Sequence, residues 1–301
     1  MVQFLSDLRS VLGPSALTRV ARKVLENDCL ALAGQLAYFF VLFLFPFIMF
    51  LVALVSSVVD DPEPALKALA GSLEEFLPGE AIRLLTDYLD RTLQGISSLT
   101  LLFAALLTLG TGSAASEAII KAANRSYGVQ ETRSFWRIRA ISILLILGFT
   151  VLIGTLSFVI FSLETEGYLS RLLGLPEVFL GLWKILGWAL DFLILTLALD
   201  VLYYVAPDAA VPFKWITPGG FMATVLLIVS GEALTFWVAN VFRYDQLYGQ
   251  LGAGIVLLIW LYTTGLMVLI GMEMNAVLTR MAEERKGVEL VRTERPEEGG
   301  G

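Results

Sequence analysis

The sequence has no histidine and a single cysteine, Cys29. Without histidine, no imidazole can act as a general acid or base, no Ser–His or Cys–His nucleophile pair can form, and no His-containing metal site can be built. One cysteine permits neither an intramolecular disulfide nor a Cys-rich metal cluster. Charge is scarce too: Asp, Glu, Lys and Arg make up 16% of the 301 residues, where soluble domains carry about 25%. The balance of 21 basic against 28 acidic residues is a net −7 at pH 7. That argues against nucleic acid as a partner, because such binding rests on neutralising phosphates with Lys and Arg. No G-x-x-x-x-G-K-[ST] loop occurs, so a primary pump would need an ATP-hydrolysing partner. No enzymatic activity, cofactor or metal is expected.

What the chain does have is apolar length. Hydrophobic residues make up 57% of it, and the mean hydropathy is +0.76, too much for an ordinary soluble core. Crossing a bilayer takes about 20 predominantly apolar residues, and six stretches qualify: roughly 32–59, 96–118, 138–163, 178–206, 215–240 and 251–279. Each must be a helix, since an isolated strand would leave its backbone groups unpaired in lipid. The expected fold is therefore all-α, a polytopic membrane protein with six transmembrane helices. The first run is too long, and begins too far in, for a cleavable signal peptide.

Orientation follows from the distribution of Lys and Arg. One side holds Arg9, Arg19, Arg22 and Lys23, the second loop (Lys121, Arg125, Arg133, Arg137, Arg139), Lys214, and the tail (Arg280, Arg285, Lys286, Arg292, Arg295). The other side holds Lys67, Arg83, Arg91, Arg171 and Arg243, and Lys184 lies within a span. Fifteen against five places both termini in the cytoplasm. Residues 1–31 read as an amphipathic cytoplasmic lead-in, with a second short helix starting near Pro14 and Ser15. The outer loop 60–95 reads as two short helices broken at Pro78-Gly79, forming an acidic cap over the bundle or over a neighbouring subunit. Residues 281–301 read as a disordered cytoplasmic tail.

Ionisable groups at membrane depth are expensive and so are candidates for function. By a rise of ~1.5 Å per residue, Glu117 and Glu273 fall near the cytoplasmic interface and Asp200 in the inner third. Asp191 lies near the midplane, with Lys184 and Glu232 in the outer third. Glu117 has Lys121 four residues on as a natural ion-pair partner, and Lys184 can meet Glu232 at similar depth. Asp191 has no basic residue at its level. Asp191 and Asp200, nine apart, point to opposite sides of their helix and cannot line one narrow stripe. Asp191, Asp200, Glu232, Glu273 and Glu117 are the candidates for lining a translocation path. Lys121, Asn124, Arg125 and Arg133 are the candidates for anionic headgroups. Pro46, and Pro218 with Gly219, mark helix breaks or, at Pro218, a helix start.

Several ordered motifs carry a resemblance. Ala37-Tyr38 leads to Pro46, and Glu117 precedes Asn124-Arg125-Ser126-Tyr127-Gly128 with Glu131-Thr132-Arg133. The last hairpin reads Tyr244, Tyr248-Gly249, Gly252, Trp260-Leu261-Tyr262 and Gly271-Met272-Glu273-Met274-Asn275-Ala276. With six spans and about 300 residues, the chain from about 20 to 280 resembles the YihY/BrkB family of bacterial inner-membrane proteins. The resemblance implies a six-helix protein of the bacterial cytoplasmic membrane with a cytoplasmic N-terminus. Labels attached to such proteins include ribonuclease BN, virulence factor and envelope-integrity protein, and a role in moving envelope lipids.

A ribonuclease fits worst, for want of histidine, of a zinc site and of a soluble catalytic domain. The main expectation is an envelope-integrity protein that translocates or handles a lipid or amphipathic solute through a helix-lined cavity. Membrane lipids, and a second copy of the chain, are its expected partners. The alternative is a structural scaffold of an envelope complex. Five acids against one base within the spans favour transport, because internal pairing cannot neutralise them all. Asp191, Asp200 and Glu273 facing one cavity would support transport; each locked to a basic partner would support the scaffold.

Overall fold

The computed structural model describes residues 14–58, 98–164, 177–211, 215–240 and 250–286. The expected outer cap at 60–95 lies outside them, as does most of the tail. Among the described residues all regular structure is helical. A short α1 (Pro14–Glu26) precedes α2 (Cys29–Val58), α3 (Ser98–Tyr127), α4 (Phe135–Glu164), α5 (Glu177–Val205), α6 (Pro218–Asn240) and α7 (Gln250–Lys286). Helices α2 to α7 are each long and apolar enough to cross a membrane. A helix of 30 residues, such as α2, is about 45 Å long at the usual rise, enough for the hydrocarbon core and its flanks.

The six long helices are neighbours in chain order, α2 to α3 and onward to α7, and α7 closes the ring on α2 while also touching α3. Helix α1 rests on α7 and α2. Its amphipathic pattern explains why: Ala16 and Val20 are buried, and Val20 packs with Met274 and Val277 of α7. Pro14 opens α1 at the first helical position, where its missing N–H removes nothing.

Burial is concentrated at the end of the bundle where α1 lies. There Cys29, Ala33 and Leu36 of α2 pack with Ala118 and Ala122 of α3 and Leu269 of α7. Ile120 and Ala123 pack with Leu199, Tyr203 and Ala206, Ala223 of α6 and Met272. The small side chains let backbones approach closely, the packing mode of helices in lipid. The tightest approach joins α6 to α7. A Cβ on Gly271 would lie 2.6 Å from the Ala223 Cβ, the Gly219 carbonyl and the Tyr203 hydroxyl. Elsewhere the surface is apolar, with Leu144, Leu147 and Val151 of α4 exposed, and Phe135, Trp136 and Trp215 exposed around the α1 end. Apolar flanks edged by aromatic rings suit a helix bundle in a bilayer.

Two boundaries differ from the sequence reading. Helix α3 continues to Tyr127, so Lys121, Asn124 and Arg125 stand on its last turns and not in a loop. The run Ala118 to Ala123 is rich in good helix formers, and nothing stops it before Gly128. Helix α7 likewise continues to Lys286, so the first residues of the expected tail are helical. Pro46 lies inside α2 without ending it, whereas Pro218 starts α6.

Candidate functional site

Two buried carboxylates, Asp200 and Glu273, occupy the α1 end of the bundle, and α7 separates them. Glu273 and Asn275 are two residues apart on α7, so their side chains leave it on nearly opposite sides. Asn275 faces α6, and Glu273 faces α2, α3 and the α1–α2 elbow.

The Asp200 side is built around the start of α6. Thr217 is the N-cap, and Pro218, read from the sequence as a break or a helix start, is the first helical residue. The first N–H groups of a helix have no intrahelical partners, and here each one is accounted for. Thr217 N donates to Asp200 Oδ2 at 3.0 Å, Pro218 has no N–H, and Gly219 N donates to Asn275 Oδ1 at 2.8 Å. Gly220 N donates to Thr217 Oγ1 at 3.0 Å. The Thr217 hydroxyl donates to Asp200 Oδ1 and accepts from Asn275 Nδ2 at 2.8 Å. Asp200 is 2% exposed, but both its oxygens are bonded and it faces the positive end of a helix dipole. A Cβ on Gly220 would collide with this carboxylate. Tyr203, one turn on, donates to the Val268 carbonyl of α7 at 2.8 Å, and Thr196 meets Thr224 at 3.0 Å.

The Glu273 side is different. Its side chain is 0% exposed, and its hydrogen bonds all converge on Oε1. Asn27 Nδ2 donates at 2.6 Å, Ser126 Oγ lies at 2.7 Å, and Cys29 Sγ lies at 3.7 Å. Oε2 is buried with no hydrogen-bond partner. Asn27 comes from the elbow between α1 and α2, where Asp28 adopts φ 52°, a left-handed conformation that Asp tolerates better than most residues. The elbow is tied down by Arg125 Nη2 donating to Asp28 Oδ2 at 2.6 Å, and α1 by Arg19 pairing with Glu284 at 2.9 Å.

Below α3 the chain turns sharply. Gly128 has φ 69°, with Val129 N bonding Asn124 O at 2.9 Å and Gly128 N bonding Arg125 O at 3.1 Å, a Schellman stop. The short link to α4 is then locked to the end of α5. Arg133 meets Glu131 through Nε at 2.7 Å and Nη2 at 2.8 Å, and donates to the carbonyls of Val205 at 3.2 Å and Ala206 at 2.8 Å. Asn124 bridges Glu131 at 2.8 Å and Asp208 N at 2.7 Å, and Thr132 Oγ1 donates to Asp208 Oδ2 at 2.6 Å. Burial alone would raise the Glu131 carboxyl, but the hydrogen bonds from Arg133 and Asn124 outweigh it and hold it below the usual carboxylate range. Asp208 ends up lowered for the same reason, burial being outweighed by its bonds to Thr132 and the charges of Arg133 and Arg137. Bonding to Glu131 raises the Arg133 guanidinium against the opposing effect of burial.

The sequence candidates thus divide. Asp200 and Glu273 are enclosed, each with its own partners. Asp191 is half-buried and Glu232 exposed, and the Lys184 side chain lies outside the described residues. Glu117 is half-buried and Lys121 exposed, with no ion pair between them. Of the headgroup candidates, Asn124 and Arg133 are engaged by protein groups, the Arg133 side chain being only 4% exposed. Arg125 is 44% exposed while paired. Asn27, Thr217 and Asp208 were not singled out from sequence, and Ser126 and Asn275 stood only within the quoted motifs, with no role assigned. Thr217 alone had a readable signal, its place before Pro218. Among the described residues no group of three or more His, Cys, Asp or Glu side chains could hold a metal ion.

The family model described as virulence factor BrkB matches residues 20–293. The ribonuclease-like protein YfkH of Bacillus subtilis is 32% identical, over 82% of this chain and 88% of its own length. A UPF0761 membrane protein of Alcanivorax borkumensis is 28% identical over 89% of this chain, which spans 61% of that relative. Another, of Alteromonas mediterranea, is 26% identical over 87% of this chain and 86% of its own. No solved structure matches.

Proposed function

This chain belongs to the virulence factor BrkB family of membrane proteins, and from that premise we propose that it translocates or handles a lipid or amphipathic solute in the bacterial inner membrane, in the service of envelope integrity. The α1 end faces the cytoplasm in this reading, in keeping with the Lys and Arg bias of the loops. One observation carries the proposal: Glu273 is buried in the bundle with neutral partners, and among the described residues no Lys or Arg is bonded to it. A membrane protein built only for rigidity gains nothing from an uncompensated carboxylate, and such groups mark ion, proton or substrate paths. Exposed Lys121, and Arg125 beside its pairing with Asp28, are the side chains expected in this reading to meet anionic headgroups.

The ribonuclease-like wording belongs to the Bacillus relative. For this chain we propose no catalytic chemistry, because it has no histidine and one buried cysteine. The scaffold reading keeps one observation in its favour. The Glu131–Arg133–Asp208 knot and the Asp200 clamp fasten α3, α5, α6 and α7 to one another, as a rigid platform requires.

Purified protein in vesicles carrying labelled phospholipids or lipid precursors tests the proposal. Faster movement between leaflets, or across the membrane, than in protein-free vesicles is the expected result. No acceleration with any lipid of a broad anionic, zwitterionic and precursor panel overturns it in favour of the scaffold.

A further inference from the structure

We propose that the elbow between α1 and α2 binds the phosphate of an anionic phospholipid, held by the guanidinium groups of Arg22 on α1 and Arg280 on α7. The site deepens the transport reading, on which it rests only for the use made of the bound lipid.

These two arginines differ from their neighbours in having charge to spare. Half-buried Arg280 donates from Nη2 to the Ser126 carbonyl at 3.1 Å. That acceptor is neutral, so the guanidinium keeps its charge, and its other N–H groups can reach a ligand. The bond also sets its position. A Cβ on Gly128 would lie 2.9 Å from the same nitrogen, so the group rests on the bare face of the turn that ends α3. Arg22 is exposed, and neither arginine forms an ion pair with another described residue. The acids nearby are taken by other cations. Lys23 holds Glu26 at 2.7 Å, Arg125 holds Asp28 at 2.6 Å, and Arg19 holds Glu284 at 2.9 Å. Glu273 is fully buried and bonded to Asn27 and Ser126. Arg22 and Arg280 both lie within electrostatic reach of exposed Glu26, which brings the two guanidinium groups to one place at the elbow.

Two guanidinium forks suit phosphate, whose several oxygens accept paired N–H donors in a way a point-like ammonium does not match. The apolar surroundings select a lipid over a soluble phosphate. Leu25, one turn on from Arg22 and on the same face of α1, is 67% exposed, and Leu30 in the first turn of α2 is 49% exposed. Together they offer an acyl chain an apolar surface beside the cations, and a soluble phosphate would leave it bare. The elbow also precedes the first span, the level at which inner-leaflet headgroups lie when the α1 end faces the cytoplasm. By contrast Asn124 and Arg133 of the α3–α4 turn are spent on Glu131 and on backbone groups.

The test is native mass spectrometry of the full chain with phosphatidylglycerol or phosphatidylcholine of the same acyl chains, beside thermal unfolding with inorganic phosphate added. The wild type should retain phosphatidylglycerol in preference. Arg22→Gln combined with Arg280→Gln should weaken that retention about tenfold or more, as expected for lost hydrogen bonds to a charged group. Arg280→Lys, which keeps the charge and loses the fork, should fall between. Arg137→Gln combined with Arg139→Gln removes the same charge from α4 and should leave retention unchanged. No preference for the anionic lipid, or an equal loss in the α4 pair, overturns the proposal. Stabilisation by inorganic phosphate that the elbow pair abolishes, without lipid retention, overturns the lipid in favour of a soluble phosphate. Should Arg280→Gln fail to fold, unchanged retention in Arg22→Gln alone overturns it equally. Lipid held at the elbow without movement between leaflets sinks the transport reading alone, and movement without lipid held there sinks only the site.

Discussion

Asp200 and Glu273 are both buried acids at the same end of the same bundle, yet they are solved in opposite ways. Asp200 has each oxygen bonded, by a backbone N–H and a hydroxyl of one residue, Thr217, and lies against the start of α6. Glu273 gathers three partners on one oxygen and leaves the other bare. The first arrangement gives each oxygen of its carboxyl a donor; the second leaves one oxygen without any. What separates them is whether each lone pair has a donor, which decides the cost of a buried polar group.

The largest expected effect comes from breaking the satisfied site. In Asp200→Asn the amide can accept from the Thr217 N–H, but its NH2 then meets the Thr217 hydroxyl. That hydroxyl already accepts from Gly220 N and Asn275 Nδ2, so its own proton is left without an acceptor. Turning the amide over strands the backbone N–H instead. One buried unsatisfied donor costs about 1–3 kcal/mol, and loosening the α6 cap adds about 1 kcal/mol. A loss of about 3 kcal/mol is expected, read as denaturant unfolding in detergent. A change below about 1 kcal/mol, within the range of neutral surface substitutions and small errors, would mean that Asp200 is not a clamp.

How much of this was legible in the sequence follows from the kind of contact involved. The six spans were legible because bilayer thickness dictates apolar length. The start of α6 was legible at Pro218, because the first turn of a helix is local. The partners of Glu273 were not: Asn27 and Ser126 are 246 and 147 residues away from it along the chain, and no spacing rule links them. Within the spans the search counted charges, so Thr217 escaped it and Asn275 received no role, although both organise the Asp200 side. Arg133 was read as a headgroup ligand because a cation beside a membrane suggests one. Its neighbour Glu131, two residues earlier, takes the guanidinium instead.

A smaller effect sharpens the comparison from outside the bundle. Glu131 and Asp208 are held below the usual carboxylate range in the folded protein, so their contribution to stability is present above the ordinary carboxylate pKa, about 4. It is lost as pH falls through the lower folded values. Unfolding midpoints should therefore drop in acid below about pH 4, and Glu131→Gln should flatten that drop. An unchanged acid slope in Glu131→Gln would mean the knot contributes nothing that titrates. The variant also clears the acid range of a signal that would overlay any from the buried pair.

The smallest effect is expected at Glu273. A glutamine there keeps a carbonyl oxygen for Asn27, Ser126 and Cys29, and puts an uncharged amide where Oε2 stands bare. The amide leaves a buried N–H donor unpaired, which costs stability. No helix cap depends on Glu273, so Glu273→Gln should cost the low end of a buried unsatisfied donor, about 1 kcal/mol, against about 3 kcal/mol for Asp200→Asn from a lost donor pairing and cap. The inequality is the content of the comparison. Equal losses at the two positions would show that the bare oxygen is no weaker a constraint than the bonded pair.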